Sequence, residues 1–385
     1  MTRFRDALRS GSTAIGPFDR FDNAAERTHV AGQVPPQPRN FPEGPWNRLS
    51  NSDRFALFSA QEAVEQAGIS TPLDDRAGVF FGSSTGGLFE TELYFEALLR
   101  CPASRPPRAL LASHSLSSPA ETVARRLGAR GPVETVSSAC ASGGLAIEQA
   151  LRALRTGEVD LAIAGGADCL CRTTYSGFNS LRAVDERPCR PFRVDRAGMS
   201  LGEGGAALVL ESVEHARSRK AVALAEILGA GSSCDANHMT APHAEGVWAA
   251  SAIERALEDS GIDPDEVDLV NAHGTGTLLN DDAEHAALLR VFGERTRCIP
   301  LEVTKAVVGH LLGAAGVIEA VATVLSLLSK EVHSAPGGGE IRYAEFAGLA
   351  LEGTRRMPDM RTAVSASFGF GGANAAVVLR RWEES

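Results

Sequence analysis

The sequence predicts an α/β protein with largely buried sheets, built from two similar halves. Short apolar runs alternate with segments of helical periodicity along the chain, which is typical of strands and helices packed in layers. Residues 159–168 (VDLAIAGGAD) predict a buried strand that ends in glycines. Residues 204–219 predict a strand that leads into a helix, and residues 363–381 predict two strands around a glycine turn.

A pattern in the first half of the chain recurs in the second half. In both places a helix ending in A-[VL]-E-x-x-G-I leads through an acidic linker to an apolar strand and a Gly/Ser/Thr turn. The matching segments are the helices 53–69 and 245–262 and the strand-turn segments 78–87 and 268–277. Either this match is a chance result of the strand-helix pattern common to α/β proteins, or one half has been duplicated, with a boundary near residue 228. Duplication predicts the units 1–228 and 229–385, with turns from both around one central site.

Composition and charge exclude several classes of protein. The formal net charge of −10 argues against general nucleic-acid binding. The sequence contains no run of about 18 apolar residues, so we expect no membrane span, and its first residues carry no apolar signal segment. Seven irregularly spaced cysteines argue against a disulfide framework and favour a reducing cytoplasm. Cys169 and Cys171 lack zinc-ribbon spacing, so we expect no metal site.

One cysteine stands where a predicted strand leads into a predicted helix. Cys140 lies in the stretch VSSACASGG, and the residues after it form an amphipathic pattern that ends at Gly157. The N-terminus of a helix favours a thiolate, and the small neighbours leave room for a substrate. A lone cysteine is also a common inert core residue. On its own Cys140 therefore leaves both interpretations open.

Two histidines and a lysine lie in other glycine-rich turns. His273 follows an apolar strand in NAHGTGT, and Lys305 and His310 stand in TKAVVGH before a helix of small residues. Each residue alone fits a structural or a functional role, but together with Cys140 they are hard to explain as packing. A cysteine with two histidines suits either hydrolysis or thioester chemistry. Two histidine donors favour stabilisation of negative charge on a carbonyl oxygen, whereas a hydrolase commonly orients one histidine with Asn or Asp.

The turn SFGFGGAN near the C-terminus supplies flexible backbone for an oxyanion hole and a phenylalanine that could act as a lid. Its glycines do not form the G-x-G-x-x-G pattern, and a strand follows them instead of a helix. The turn therefore predicts no dinucleotide site.

These residues together resemble the β-ketoacyl-acyl-carrier-protein synthases, in particular the elongating type II (condensing enzyme II) branch of the thiolase superfamily. SSACASG resembles T-A-C-x-S-G, and NAHGTGTLLND resembles N-A-H-G-T-x-T-P-x-N-D. TKAVVGHLLGAAG resembles S-T-K-x-x-x-G-H-x-x-G-A-A-G, SFGFGGAN resembles S-F-G-F-G-G-T-N, and residues 190–211 follow a further family block. The likeness runs in the family's order from about residue 4 to the end.

The resemblance implies a thiolase-like fold, in which two similar α/β halves form a five-layer αβαβα arrangement. It implies that Cys140 is the nucleophile that takes an acyl chain from acyl-carrier protein. His273 and His310 would hold the malonyl thioester and favour its decarboxylation, and Lys305 would tune the His310 region. The backbone N–H groups of Cys140 and Phe370 would form the oxyanion hole.

Other residues are assigned by the same resemblance. Phe370 would gate the acyl chain within a turn that includes Phe368 and Gly371, and Asp235 would lie on a second mobile loop opposite it. Thr85 would line the acyl pocket, where the family often has an isoleucine. Residues expected to support the site or to dock the carrier protein are Glu284 and Asn374 (support) and Arg182, Arg125 and Arg126 (docking).

The sequence also departs from the family pattern. The family's first strand, R-V-V-V-T-G-x-G, is missing before FRDALRSG, and we expect its absence to leave a gap in the middle of a sheet. Glu302 replaces a small residue before the Thr304-Lys305 turn. These changes bear on substrate choice and efficiency more than on the type of catalysis.

The expected function is decarboxylative condensation of an acyl-enzyme with malonyl-acyl-carrier protein in fatty-acid, aryl-polyene or polyketide elongation. One alternative is a malonyl-carrier-protein decarboxylase that supplies an acetyl primer. The other is a non-catalytic partner subunit similar to a chain-length factor, a class that usually lacks the cysteine. The expected partners are acyl-carrier protein and a second ketosynthase-like subunit, in a homodimer or a heterodimer. No bound cofactor is expected, because the substrates arrive on phosphopantetheine.

Overall fold

The structure is a computed structural model that describes residues 2–35, 49–101, 105–346 and 353–383. Its α-helices within these residues are α1 (Thr2–Ser10), α2 (Asn51–Gln66), α3 (Leu88–Arg100), α4 (Ser118–Leu127), α5 (Ser142–Arg155), α6 (Arg172–Ser180), α7 (Val213–Ser218), α8 (Val247–Ser260), α9 (Leu278–Phe292), α10 (Lys305–Val308) and α11 (Ala315–Ser329).

The strands of the described residues form two large sheets and two small ribbons. They are β1 (Gly16–Pro17), β2 (Val30–Ala31), β3 (Ala77–Gly82), β4 (Val133–Val136), β5 (Leu161–Asp168), β6 (Gly204–Glu211), β7 (Ala225–Cys234), β8 (Leu269–Asn271), β9 (Leu301–Glu302), β10 (Glu331–Val332), β11 (Arg355–Arg356), β12 (Thr362–Phe368) and β13 (Ala373–Arg381). The predicted strand 159–168, the strand-helix pair 204–219 and the strand pair 363–381 are all present.

The two large sheets share one topology. The first has the order β4-β3-β5-β6, and the second has the order β7-β13-β12-β8-β9. In each sheet three parallel strands are followed by one antiparallel strand, β6 beside β5 and β13 beside β12. The predicted likeness of the two halves therefore extends from a short sequence pattern to whole sheets. The boundary near residue 228 falls inside β7 and stays a prediction.

The second sheet has one strand that the first lacks. β7 pairs antiparallel with β13 along its length, whereas among the described residues no strand lies beside β6 on the corresponding side. The expected gap in the middle of the sheet was wrong, because β5 pairs directly with both β3 and β6. By comparison with β7, the family's first strand would lie at the edge of the sheet, beside β6. Most side chains of β6 accordingly remain only partly buried, while those of β13 are mostly buried.

The elements stack in five layers. Helices α2 and α4 cover the outer face of the first sheet, around a core that includes Phe55, Val79, Phe81 and Val123. Helices α8 and α9 cover the outer face of the second sheet. Helices α5 and α11 lie between the sheets and contact both. This arrangement confirms the predicted αβαβα fold.

Glycines bring α5 and α11 close together in the middle layer. A Cβ atom at Gly316 would lie 2.6 Å from the backbone nitrogen of Gly144, and one at Gly143 would lie 2.9 Å from the backbone nitrogen of Val317. No side chain fits at these contacts, so the two helices pack backbone against backbone. Cys140 and His310 stand just before these two helices, and the close packing therefore brings their two turns together.

One segment of the described residues, Leu312–Ser329, is long and apolar enough to cross a membrane by length and composition alone. Of this segment 78% is buried inside the protein, where it forms α11 and the turn before it. Such burial is typical of a core helix between two sheets.

Candidate active site

Cys140 lies in the turn between β4 and α5. Ala139, the residue before it, has a φ of +46°, a left-handed conformation that is unfavourable for a residue with a Cβ atom. The carbonyl oxygen of Ala139 accepts hydrogen bonds from the hydroxyls of Ser142 at 2.6 Å and Ser84 at 3.2 Å. These bonds hold the turn so that the Cys140 side chain lies beside the start of α5 with an exposure of only 5%.

The Cys140 thiol is protonated at neutral pH. Burial raises the pKa of Cys140 to about 11, although the positive charge of Lys305 and the backbone N–H of Phe370 both act to lower it. The expectation that the helix N-terminus would favour a thiolate was wrong for the resting protein, because desolvation outweighs the favourable charges. An acylated Cys140 carries no charge, so the same burial does not oppose the thioester.

His273 is held through its backbone by a buried carboxylate. It follows β8, and its N–H donates to Glu284 Oε1 at 2.6 Å, while the N–H of Gly274 donates to Glu284 Oε2 at 2.8 Å. Glu284 projects from α9, and burial raises its pKa to about 7. The structure therefore places Glu284 as the support of the His273 turn.

His310 is held in one tautomer by the turn that follows it. The N–H of Leu312 donates to Nδ1 of His310 at 3.0 Å, so Nδ1 is an acceptor and the ring hydrogen is on Nε2. Burial, followed by the charge of Lys305, lowers the pKa of His310 well below its usual range. His310 is therefore neutral, and its Nε2–H is a donor directed away from the turn.

Lys305 fixes His273 in the same tautomer. Its amino group lies 3.0 Å from Nδ1 of His273 and contacts the carboxylate of Glu319. An ammonium group only donates, so Nδ1 of His273 accepts and Nε2 carries the hydrogen. Burial lowers the pKa of His273 well below its usual range, and the charge of Lys305 adds to this effect. The direct contact of Lys305 is thus with His273, and its charge acts on His310 from a distance.

Cys140 and the two histidines converge. The sulfur of Cys140 and one ring nitrogen each of His273 and His310 all lie within 4.8 Å of one another. The two imidazole rings stand at 87° with centroids 5.5 Å apart. This geometry places two neutral N–H donors beside one thiol, a combination suited to binding a carbonyl oxygen next to a thioester.

These three side chains are donor types that zinc accepts, so the fit of a metal can be tested. A metal on Nε2 of His310 would require the ring hydrogen on Nδ1, where it would meet the N–H of Leu312. On His273 it would meet the amino group of Lys305 in the same way. The fixed tautomers therefore oppose a metal ion at these atoms.

The turn after β12 closes over the thiol. Phe370 packs its ring against Phe178 with centroids 5.6 Å apart, and its backbone N–H is hydrogen-bonded to Cys140. The ring of Phe368 lies 5.6 Å from that of His273. Gly371 has a φ of +85°, a conformation that favours glycine, and its N–H donates to Met239 of the facing loop at 2.8 Å.

The structure joins the Phe370 turn to the loop 232–246 through one acidic side chain. Asp235 accepts hydrogen bonds from the side-chain amide of Asn374 and from the N–H of His243, both at 2.7 Å. The N–H of Asp235 in turn donates to Gly372 at 2.8 Å. Asp235 and Asn374 therefore connect the two loops that were expected to face each other.

The chain is similar to known proteins along most of its length. Residues 1–216 match the family model described as the N-terminal domain of beta-ketoacyl synthases, and residues 224–336 match its C-terminal domain. The chain belongs to the β-ketoacyl synthase family. The resemblance drawn from the motifs is thereby confirmed.

Individual family members are similar over almost the entire chain. The chloroplastic 3-oxoacyl-[acyl-carrier-protein] synthase I of Hordeum vulgare is 34% identical over 98% of this chain and 84% of its own. The putative polyketide beta-ketoacyl synthase 1 of Streptomyces halstedii is 36% identical over 98% of this chain and 93% of its own. The structure of the ishigamide ketosynthase/chain length factor matches with a TM-score of 0.93 and 31% identity, over 100% of this chain and 95% of that chain.

In this family member a cavity of about 280 Å³ leads to the three converging side chains. Cys140, His273 and His310 line its buried end, and Phe370 lines its wall. Leu181 and Leu279 also line it and are exposed at 55% and 60%, so they mark the mouth. The cavity thus runs from an apolar rim to the thiol, as a tethered substrate requires.

Of the remaining expected residues, Arg125, Arg126 and Thr85 do not line the cavity. Arg182 lines the cavity near its mouth, but Arg125 and Arg126 lie in the last turn of α4 and are not among its lining residues. Thr85 is also outside the lining, because its hydroxyl is turned toward Asp168 and donates to Oδ1 at 2.8 Å. The assignment of Thr85 to the acyl pocket stays a prediction.

Two buried acids of this synthase site, Glu319 and Asp168, were not predicted from the sequence. Glu319 contacts Lys305, and burial raises its pKa to about 7. Its signal was a single charge within an otherwise apolar helix, α11. Asp168 accepts hydrogen bonds from turns of both halves, and its signal was an acidic residue at the glycine-rich end of β5.

Proposed function

We propose that the protein is a β-ketoacyl-acyl-carrier-protein synthase that condenses a Cys140-bound acyl chain with malonyl-acyl-carrier protein. The observation that carries this proposal is the meeting of the Cys140 sulfur with two neutral histidines that share one tautomer. A general base for hydrolysis would need an unprotonated nitrogen facing the thiol, whereas Nε2 carries the hydrogen on both rings. The site is therefore suited to binding carbonyl oxygens.

Acyl transfer is the first half-reaction. The Cys140 sulfur attacks the thioester carbonyl of the acyl-carrier protein, and the N–H groups of Cys140 and Phe370 stabilise the oxyanion. The new carbon–sulfur bond replaces the old one, and the departing pantetheine thiolate takes the proton that the Cys140 thiol gives up. The product is an uncharged thioester, which burial does not destabilise.

Decarboxylation and condensation form the second half-reaction. The Nε2–H groups of His273 and His310 donate to the carbonyl oxygen of the malonyl thioester, so that the enolate left by loss of carbon dioxide is stabilised. The enolate carbon attacks the acyl carbonyl on Cys140, and the carbon–sulfur bond then breaks. Cys140 leaves as a thiolate and takes up a proton from water, consistent with its raised pKa. The product is a β-ketoacyl thioester on the carrier protein.

The substrates would reach the site on the phosphopantetheine arm of acyl-carrier protein, with no bound cofactor. An acidic surface on the carrier protein would pair with Arg182, which lines the cavity near its mouth beside exposed Leu181 and Leu279. Arg125 and Arg126 remain secondary docking candidates. The described cysteines all carry free thiols, which supports the expected reducing cytoplasm.

A second ketosynthase-like subunit, identical or different, is the other proposed partner. Strand β4 is the edge of the first sheet, and its Val133 is 40% exposed. Helix α3 buries only Thr91 and leaves Phe95 and Leu99 exposed at 51% and 79%. An open strand edge and an apolar helix face are features that a partner subunit covers.

The deciding experiment compares wild type with Cys140→Ala, using acyl-carrier protein charged with acyl and with malonyl groups. We expect wild type to form the β-ketoacyl product and Cys140→Ala to form none, while the variant still releases carbon dioxide from malonyl-carrier protein. If wild type releases acetyl-carrier protein without condensing, the decarboxylase alternative holds. If neither protein turns over malonyl-carrier protein, the role of a non-catalytic partner subunit holds.

A further inference from the structure

A fully buried carboxylate joins two turns of the site and takes no part in the steps above. Asp168 is the last residue of β5. Its Oδ1 accepts hydrogen bonds from the Ser83 hydroxyl at 2.9 Å and from the N–H and the hydroxyl of Thr85, both at 2.8 Å. The N–H of Ser84 lies 2.9 Å from both carboxylate oxygens, and Oδ2 accepts the N–H of Gly313 at 2.6 Å.

The first connection leads to His310. Gly313 follows Leu312, whose φ of +53° is unfavourable for a side chain with a Cβ atom and whose N–H fixes Nδ1 of His310. The next N–H in the chain, that of Gly313, is bound by Asp168. A Cβ atom at position 313 would lie 2.7 Å from Asp168 Oδ2, so the carboxylate packs directly against this turn. Asp168 therefore holds the strained turn that sets the His310 tautomer.

The second connection leads to Cys140. Asp168 binds the N–H of Ser84, and the Ser84 hydroxyl donates to the carbonyl oxygen of Ala139 at 3.2 Å. Ala139 also has a left-handed φ, of +46°, and it directly precedes Cys140. The Asp168 carboxylate thus supports two strained residues. Ala139 lies beside Cys140 in the first half of the chain, and Leu312 lies close to His310 in the second half.

We infer that Asp168 is a positioning residue that fixes the Cys140 turn and the His310 turn relative to each other. The inference rests on the proposed function for the roles of those two residues. A change at Asp168 should therefore impair both half-reactions, whereas a change at one of its two connections should impair only one. A residue needed only for folding would show no such division.

The test measures the half-reactions separately in Asp168→Asn, which keeps the side-chain shape but places an amide N–H₂ against N–H and hydroxyl donors. We expect acylation of Cys140 by acyl-carrier protein and decarboxylation of malonyl-carrier protein each to fall at least about tenfold. Ser84→Ala removes only the hydrogen bond to Ala139. It should slow acylation about threefold or more and leave decarboxylation within about twofold of wild type.

Nitrogen-15 NMR of the histidine side chains supplies a readout that a structural role would not move. In Asp168→Asn we expect His310 to lose its pure Nε2–H signature, while His273 keeps it because Lys305 still holds its Nδ1. The matched control is Asp53→Asn, another fully buried carboxylate, which accepts from Ser50 and Ser113 at the start of α2. It should lower the unfolding temperature without changing either half-reaction by more than about twofold.

The outcomes separate the two proposals. If Asp168→Asn folds and keeps both rates and the His310 signature, the inference about Asp168 is wrong. If it does not fold, Ser84→Ala decides, and wild-type acylation in that variant overturns the inference. If wild type itself forms no β-ketoacyl product, the proposed function fails, while the His310 tautomer still reports whether Asp168 holds that turn.

Discussion

The amino group of Lys305 lies between Nδ1 of His273, at 3.0 Å, and the carboxylate of Glu319. All three side chains are buried. The carboxylate compensates the charge of the lysine, and the lysine in turn fixes the histidine as an Nε2–H donor. The buried charge of Lys305 therefore affects the reaction by fixing which ring nitrogen of His273 carries the hydrogen.

The Lys305→Met variant tests this relationship. It retains the side-chain length but removes the donor to His273, so that the ring is free to place its hydrogen on Nδ1. We expect malonyl-carrier-protein decarboxylation to fall about 10- to 100-fold, less than the about 100- to 1,000-fold for outright removal of one preorganised donor, because the His273 ring itself is retained. The unfolding free energy should also fall, though by less than the ~3–5 kcal/mol of a broken buried ion pair, because Glu319 can take up a proton.

A second substitution separates stability from activity at this pair. Combining Lys305→Met with Glu319→Gln removes the unpaired acid and should recover much of the lost unfolding free energy in urea denaturation. Decarboxylation should stay at the level of Lys305→Met. Recovery of activity together with stability would contradict a role for Lys305 through His273.

The raised pKa of Cys140 predicts how its reactivity depends on pH. With a pKa of about 11, the thiolate fraction rises about tenfold for each pH unit below that value. Alkylation by iodoacetamide should therefore accelerate about 100-fold between pH 7 and pH 9. Mass spectrometry of the Cys140 peptide distinguishes it from the exposed Cys101, Cys234 and Cys298. A rate that is flat above pH 7.5 would instead indicate a stable thiolate.

Much of this structure could be predicted from the sequence because its signals were local. The strand 159–168 and the turn at His273 followed from apolar runs and glycines, and both are present. The contact between Lys305 and Glu319 joins residues on two helices, and no local pattern specifies it. The place of the family's first strand could not be predicted either, because it depends on the order of the strands in the sheet. The second sheet, in which β7 lies beside β13, indicates a place beside β6. The pKa of Cys140 could not be predicted either, because it depends on burial by both halves.

The burial of Glu302 predicts that the free energy of unfolding falls as pH rises. It accepts hydrogen bonds from Ser326 at 2.7 Å and from the N–H of His333 at 2.9 Å, and burial raises its pKa from 4.5 to about 7. Between these values the folded protein binds more protons than the unfolded chain, so unfolding free energy decreases as pH increases through this window.

Glu302→Gln removes this titration while keeping an oxygen acceptor for Ser326. We expect the variant to be about 1–3 kcal/mol more stable than wild type at pH 8 and equal to it or less stable near pH 4.5, at ~1.4 kcal/mol per pKa unit. Urea unfolding at the two pH values measures the difference, with Glu254→Gln on α8 as an exposed control. A pH-independent difference would show that Glu302 does not titrate in this range.

The exposed apolar face of α3 predicts the quaternary structure. Phe95 and Leu99 are exposed at 51% and 79%, although large apolar side chains of a helix are ordinarily buried against the rest of the protein. The double variant Phe95→Asp/Leu99→Asp places two charges where a second subunit would desolvate them, which is strongly unfavourable. We expect light scattering to give twice the 40.5 kDa chain mass for wild type and the single chain mass for the double variant.

Val222→Asp is the matched control, because Val222 is 84% exposed and lies outside α3, so that variant should keep the wild-type mass. Equal masses for wild type and the α3 variant would exclude this helix from the interface.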